Sequence, residues 1–396
     1  MVRENTDSAH RSVLRVGHRT LHTAAFVLFV GIAAVATVQR GVLTRTHATF
    51  PIFRQSFAHL SDGSDLYARY PFEQGTEERD RFKYNPSAAL GFAPLSLLPF
   101  VAGLLAWTLL NTLGLYAAVR RLFPERDATV ALFIVFPALV AAVQSTSSNG
   151  LVAALIVGAF VALEAGQRWR AAYAIAAGTL MKLFPAAMLP FALIRRDRWR
   201  LLGVIALVFA MALAAPLLVT PPAELLAQYR SWFAILLADE GDLNFARSIM
   251  VVVREFTHTT GSNWIFQSVA TMVLVTPLAL RPSAWTDSVF RRSFLASLLV
   301  YVVIFNHQSE NASYVIAAVG LALWFLSAPA TPARVVLLIA CMAGLEAVPY
   351  FLVWLWMQFE LLEGERAVSW VRARIVQRGD AVTELAPVPA TGPVEA

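Results

Sequence analysis

The chain is a succession of apolar blocks, most of them near twenty residues long, divided by short polar segments in which arginine recurs. About twenty apolar residues in a helix span the ~30 Å of hydrocarbon in a bilayer. Within lipid a segment must satisfy its own backbone hydrogen bonds, so these blocks are predicted as helices. A β-barrel would show short strands of alternating polarity, and runs such as 128–143 do not alternate. Blocks 21–38, 100–119, 128–144, 150–165, 201–219, 264–280, 294–305 and 314–327 are each predicted as one pass. Residues 1–20 form a cytoplasmic segment, 21–362 a single transmembrane domain, and 363–396 a cytoplasmic, partly disordered tail.

Two blocks do not fit a single crossing. Block 171–194 has Arg168 and Arg170 before it and Arg195, Arg196, Arg198 and Arg200 after it. Arginine clusters mark the cytoplasmic side, so both ends belong on the same face. With Lys182 and Pro185 in its middle, the block is read as two short half-spans with Lys182 near the turn. The alternative is one ordinary span with a snorkelling lysine. Block 335–362 is too long for one plain span and is interrupted by Glu346 and Pro349, so it is read as two short passes. The expected architecture is an all-α polytopic membrane protein with about twelve transmembrane helices and both termini cytoplasmic.

The polar intervals sharpen this picture. Residues 39–99 form a long first extracytoplasmic loop. Its last part, 86–99, is apolar but broken by Pro86, Pro94 and Pro99, and is predicted as a helix lying in the interface. Residues 220–262 form a second outer loop with an amphipathic stretch at 224–238. The 396 residues are 58% hydrophobic and 15% charged, against about a quarter charged in soluble domains. The net charge of +6 does not mark a nucleic-acid binder, because most of the arginine sits beside apolar blocks as topology signals do. The lone Cys341 supports no disulfide and no metal site. No cleavable signal peptide is predicted, and no internal repeat points to an inverted-repeat transporter.

Candidate chemistry gathers on the outer side. Arg79-Asp80-Arg81-Phe82-Lys83-Tyr84-Asn85-Pro86 places three cations and a carboxylate just before the interfacial helix. Cations at a membrane surface clamp lipid phosphates, and a carboxylate beside them is placed to act as a general base. Lys182 lies at membrane depth, where a cation has a partner or lines a pathway. Glu310, preceded by His307 and Gln308, caps an apolar block. The plainer readings are a solvated loop for the charge cluster and a favourable helix-start carboxylate for Glu310.

Several short motifs resemble glycosyltransferase family 87. They are Gly63-Ser64-Asp65-Leu66-Tyr67, Phe82-Lys83-Tyr84-Asn85-Pro86 and Phe92-Ala93-Pro94-Leu95, then Trp107 with Leu110-Asn111. Ser148-Asn149-Gly150-Leu151, Lys182-Leu183-Phe184-Pro185 and Glu310-Asn311-Ala312-Ser313-Tyr314 complete the set. The resemblance implies a glycosyltransferase C-type membrane fold and a hexosyltransferase that takes its sugar, often mannose, from a polyprenyl-phosphate carrier outside the cytoplasm. It implies a glycolipid or glycan acceptor and a carboxylate base in the first outer loop; no cofactor is expected, and no ligand cluster in the sequence calls for a metal. Many relatives carry the base shortly after the first span, ahead of a pair that here resembles Phe53-Arg54; the matching position holds Thr49, which cannot serve.

The catalytic candidates are therefore Asp80, with Asp65 and Glu310 behind it. Arg54, Arg81, Lys83 and Lys182 are expected at the donor phosphate, and Tyr84, Asn85, Asn149 and His307 against substrate. Asp80, Lys83, Lys182 and Glu310 are expected to line one cavity open to the outer face of the plasma (inner) membrane. A transporter or flippase of a lipid-linked or small substrate is the alternative; it explains the spans and Lys182 but not the long charged loop.

Overall fold

The computed structural model describes residues 2–44, 49–70, 81–238, 247–258, 262–344 and 346–363, with side chains from Thr20 onward. Among them the regular structure is helical throughout. α1 (Val2–Val38) ends in a π-helical turn, Gln39–Leu43. Three short helices follow: α2 (Phe50–Asp62), α3 (Pro86–Gly91) and α4 (Ala93–Ser96). Then come α5 (Phe100–Leu122), α6 (Glu125–Gln144), α7 (Asn149–Glu164) and α8 (Arg168–Met181). A 3-10 turn, Phe184–Met188, leads into α9 (Leu189–Leu193), which is followed by α10 (Arg198–Ala214), α11 (Pro222–Ala238) and α12 (Ile249–Thr257). The last five are α13 (Asn263–Leu280), α14 (Ser288–Ile304), α15 (Tyr314–Leu326), α16 (Pro332–Gly344) and α17 (Ala347–Glu363).

Five of these helices are long and apolar enough to cross a membrane: Thr20–Leu43, Phe100–Leu122, Glu125–Gln144, Arg198–Leu218 and Asn263–Leu280. Of the shorter apolar helices, α7 and α15 lie in the interior. α15 has every residue from Tyr314 to Trp324 buried. It forms the centre of the main core together with α6, α7 and α14. Membrane helices approach closely where side chains are small, and Gly320 of α15 shows this against α14. A Cβ on Gly320 would lie 2.5 Å from the Ala296 carbonyl oxygen and 3.0 Å from Leu299 Cβ. Gly320→Ala is expected to lower stability by about 1–3 kcal/mol, the usual cost of overpacking a tight core. Thermal unfolding of detergent-purified protein measures it, and an unchanged midpoint would contradict this packing.

The two ambiguous blocks both double back. α8 stops at Lys182, whose backbone is extended (φ −145°, ψ 145°). The chain then folds onto α8 so closely that a Cβ on Gly178 would lie 2.6 Å from the Pro185 ring. Arg168, at the start of the block, meets Asp197, just past its end, at 2.6 Å. A single straight crossing would hold those two residues more than 40 Å apart at ~1.5 Å rise per residue. Block 335–362 behaves likewise. Its helix breaks between Gly344 and Ala347, and Arg334 meets Glu360 at 2.7 Å.

These contacts sort the helix ends into two layers. In one layer are ion pairs: Arg168 and Arg195 on Asp197, and Arg291 gripping Glu164 through two hydrogen bonds of 2.8 and 2.7 Å. Hydrogen bonds from Arg168, with the charges of Arg168 and Arg195, hold the Asp197 carboxyl below the usual range. The other layer, roughly 22 Å away along α7, holds the 145–148 turn, the end of α8 and the start of α15.

Over that second layer, the described parts of the segment predicted as a loop, 49–70 and 81–99, are folded. A second core joins Phe50, Phe53, Leu60, Leu66, Tyr67, Phe82, Phe92 and Trp107 with Ile235 of α11. Phe53 stacks on Phe92 with ring centres 4.8 Å apart. The stretch expected to be one interfacial helix is two, α3 and α4, divided at Phe92 ahead of Pro94. α11 of the second outer loop closes over the first. Gln228 accepts from the Leu66 N–H at 3.0 Å and donates to the Ser64 carbonyl at 2.8 Å, and Thr220 donates to the Leu60 carbonyl at 2.7 Å.

Candidate active site

The site grows from the turn between α6 and α7. Its sequence, Ser145-Thr146-Ser147-Ser148-Asn149, is polar because the turn must satisfy groups from three directions. Thr146 adopts a left-handed conformation (φ 52°), uncommon for a β-branched residue. Its surroundings over-determine that shape. The Thr146 carbonyl accepts from Trp107 Nε1 at 2.8 Å and from Thr49 Oγ1 at 2.9 Å, and its hydroxyl accepts from the Phe50 N–H at 3.0 Å. The Thr49 N–H donates to the Ser145 carbonyl at 3.2 Å. Thr49 thus pins the first outer loop to the turn. Nothing in the sequence pointed to that role; only the polar run between two apolar helices hinted that the turn mattered.

Asn111 of α5 fixes the start of α7, its side-chain oxygen accepting from the Leu151 N–H at 2.8 Å. Ser148 is buried and shares a 2.6 Å hydrogen bond with the Tyr84 hydroxyl. The Tyr67 hydroxyl donates to the Tyr84 carbonyl at 2.7 Å, and the Asn85 N–H donates to the Leu180 carbonyl at 3.2 Å. Burial raises the Tyr67 hydroxyl far above the ordinary tyrosine range, so it remains a proton donor. The Asn85 side chain caps α3 by accepting from the Ser87 N–H at 3.0 Å, and its buried amide nitrogen has no hydrogen-bond partner among the described residues. Trp232 of α11 donates to the Lys83 carbonyl at 3.2 Å. Residues 82–85 are therefore laced to the ends of α7 and α8.

Lys182 emerges where these strands of contact meet. Its ammonium donates to Asn149 Oδ1 at 2.8 Å and lies 5.6 Å from the centre of the Phe184 ring. Glu310 and Lys83 are both close enough for their charges to act on it, the first attracting and the second repelling. Lys83 and Glu310 thus lie within electrostatic reach of Lys182, which is held by a neutral amide.

The predicted residues divide as follows. Lys83, Lys182, Glu310, Asn149, Tyr84 and Asn85 come together. Glu310 also caps the Asn311–Ser313 turn in a reciprocal capping box with Ser313, as the plainer reading held. Asp65 is exposed and its carboxylate accepts from the Tyr67 N–H at 3.1 Å, within its own turn. Arg54 donates to the Leu98 carbonyl at 3.4 Å, at the foot of α4. His307 shares a 3.4 Å contact with Gln267 of α13. Arg81 is half-buried next to Phe82. Asp80 lies outside the described residues.

The motifs that meet in this layer also carry the strongest comparison. No match exists among curated proteins. The sequence model of glycosyltransferase family 87 matches residues 82–306, more than half of the chain, from the start of the Phe82-Lys83-Tyr84-Asn85-Pro86 motif to just before His307. The Gly63–Tyr67 and Glu310–Tyr314 motifs lie beyond that match. With its membrane-length helices and this match, the chain belongs to glycosyltransferase family 87 and is a membrane glycosyltransferase.

Proposed function

We infer that the protein moves a hexose, mannose first among the candidates, from a polyprenyl-phosphate carrier to a glycolipid or glycan acceptor. The observation that carries this reading is the meeting of Lys182, Lys83 and Glu310 beside Asn149, in the layer opposite the arginine-rich one. By the positive-inside rule the arginine-rich layer is cytoplasmic, which supports a site facing the extracytoplasmic side of the plasma membrane. A donor carried in the bilayer reaches such a site laterally, so a nucleotide-sugar fold is not required. Membership of a transferase family removes the ground for the transporter alternative.

In the proposed reaction Lys182 and Lys83 hold the donor phosphate and stabilise the negative charge that grows on it. A carboxylate takes the proton from the acceptor hydroxyl. The acceptor oxygen bonds to the anomeric carbon from the opposite side, and the bond from that carbon to the phosphate oxygen breaks. The polyprenyl phosphate leaves with the electron pair, and the anomeric centre inverts. Lys182 is fixed by Asn149, so it is oriented before the charge appears, which is where electrostatic catalysis draws its strength.

The base is assigned between Asp80, carried by the cluster beside Lys83, and Glu310, whose charge reaches Lys182. Asp80→Asn is expected to lower transfer about 10³-fold and Glu310→Gln about 10-fold, general base catalysis being worth roughly 10²–10⁴-fold. Initial rates of sugar transfer from a labelled polyprenyl-phosphate mannose donor measure both. Full activity in Asp80→Asn with loss in Glu310→Gln would reverse the assignment.

A further inference from the structure

We propose that Asn149 is a positioning residue that holds Lys182 with a neutral amide so that the full charge of the lysine remains for the anionic donor. The inference rests on the donor-phosphate reading of Lys182 and says how the chain keeps that cation available.

A lysine at membrane depth needs a partner, and the strongest partner is a carboxylate. Here it is an amide, and the surroundings dictate which way the amide points. Ser147 Oγ donates to the Ala142 carbonyl at 3.1 Å, which turns its lone pairs toward Asn149. That oxygen accepts from the Asn149 N–H at 3.4 Å and from Asn149 Nδ2 at 3.2 Å. The amide nitrogen is thereby committed to Ser147, and Oδ1 is left facing the Lys182 ammonium at 2.8 Å. The opposite orientation would set an NH2 group against an ammonium. Asn149 is 1% exposed and opens α7, so the acceptor is fixed to a rigid element rather than to a loop.

The consequence is chemical. An ammonium has three donors; Asn149 occupies one and neutralises nothing. A carboxylate at position 149 would keep the hydrogen bond to Lys182, give up the one to Ser147, strengthen the hold on Lys182 and neutralise it. An amide therefore trades a tighter lysine for a site that still attracts its substrate.

The test is kinetic, on the full-length protein in mixed micelles, with polyprenyl-phosphate mannose varied as a mole fraction. N149D is expected to raise the donor KM at least 10-fold, with kcat changed less than KM and with a melting temperature equal to or above that of the wild type. A merely structural role predicts a different outcome in KM: the same-shaped side chain keeps the hydrogen bond to Lys182, and KM does not move. K182M is run beside it. A donor KM within 2-fold of wild type in N149D, with K182M impaired, would overturn the positioning role alone. Unimpaired K182M would overturn the donor reading of this site, and the role of Asn149 with it.

Discussion

Replacing Lys182 by methionine should lower kcat/KM for sugar transfer by about 10²–10³-fold, corresponding to ~3–4 kcal/mol at the transition state. Methionine keeps the length and the apolar stem of the side chain but removes the charge. The loss falls on the step in which the carrier phosphate takes up the bonding electrons. Lys182→Arg should recover only part of it, because the flat guanidinium does not reproduce the point charge held at 2.8 Å by Asn149. Lys182 caps the end of α8 through its backbone N–H, which donates to the Gly178 carbonyl at 2.8 Å, so neither side-chain change should unfold the protein. The check is an initial-rate comparison on protein that elutes as a single symmetric species. A methionine variant within 3-fold of wild type would remove Lys182 from the mechanism.

The largest stability loss is expected far from the site, in Arg334→Met. Arg334 is 3% exposed at the start of α16, paired with Glu360 of α17 at 2.7 Å. It also donates to the Trp324 carbonyl and lies 4.1 Å from the centre of the Trp324 ring. Glu360 accepts in addition from Trp356 Nε1 at 2.8 Å. Removing the arginine strands a carboxylate that is only one-quarter exposed. Breaking a buried pair from one side costs ~3–5 kcal/mol, and the partial exposure of Glu360 brings the expectation to about 2–4 kcal/mol. The paired variant Arg334→Met with Glu360→Met should restore much of the loss, since an apolar pair leaves no charge unpartnered. Thermal unfolding of the two variants, read side by side, decides it. Equal midpoints for the single variant and wild type would show that the pair contributes nothing.

The sequence was most legible where the membrane itself imposes a rule. Arginines on both sides of block 171–194, with Lys182 and Pro185 between them, require a chain that returns to its starting face. The contact between Arg168 and Asp197 shows that it does. Block 335–362 was read as broken from its length and from Glu346 and Pro349; the helices end at Gly344 and begin at Ala347, so the break falls at Glu346, while Pro349 lies within the first turn of α17. The pass count was less legible, because hydropathy counts apolar blocks, whereas several of the helices here are short. α7 has 16 residues and α15 has 13, below the ~20 that a span needs.

The site was legible as a set of residues but not as a geometry. Lys83, Lys182 and Glu310 stood out because charge near lipid is expensive. Their pairing with organisers did not: Asn149 was expected against substrate, not on Lys182. Asn149 is 33 residues from Lys182, Gln228 is 162 residues from Leu66, and Thr49 is 97 residues from Thr146. Such pairs leave no periodicity in the sequence, and a threonine or glutamine reads the same whether it faces water or bridges two loops. Asp65 shows the converse: a carboxylate in a charged loop looks like chemistry, yet its described hydrogen bond stays within its own turn.

The measurement that tests the account most directly is transfer itself. Purified protein in nanodiscs receives radiolabelled polyprenyl-phosphate mannose with a membrane lipid extract as acceptor, beside Lys182→Met and Asp80→Asn. The account predicts label in a new glycolipid or glycan, with both variants strongly impaired. Donor that neither binds nor yields labelled product in the wild-type protein would contradict it.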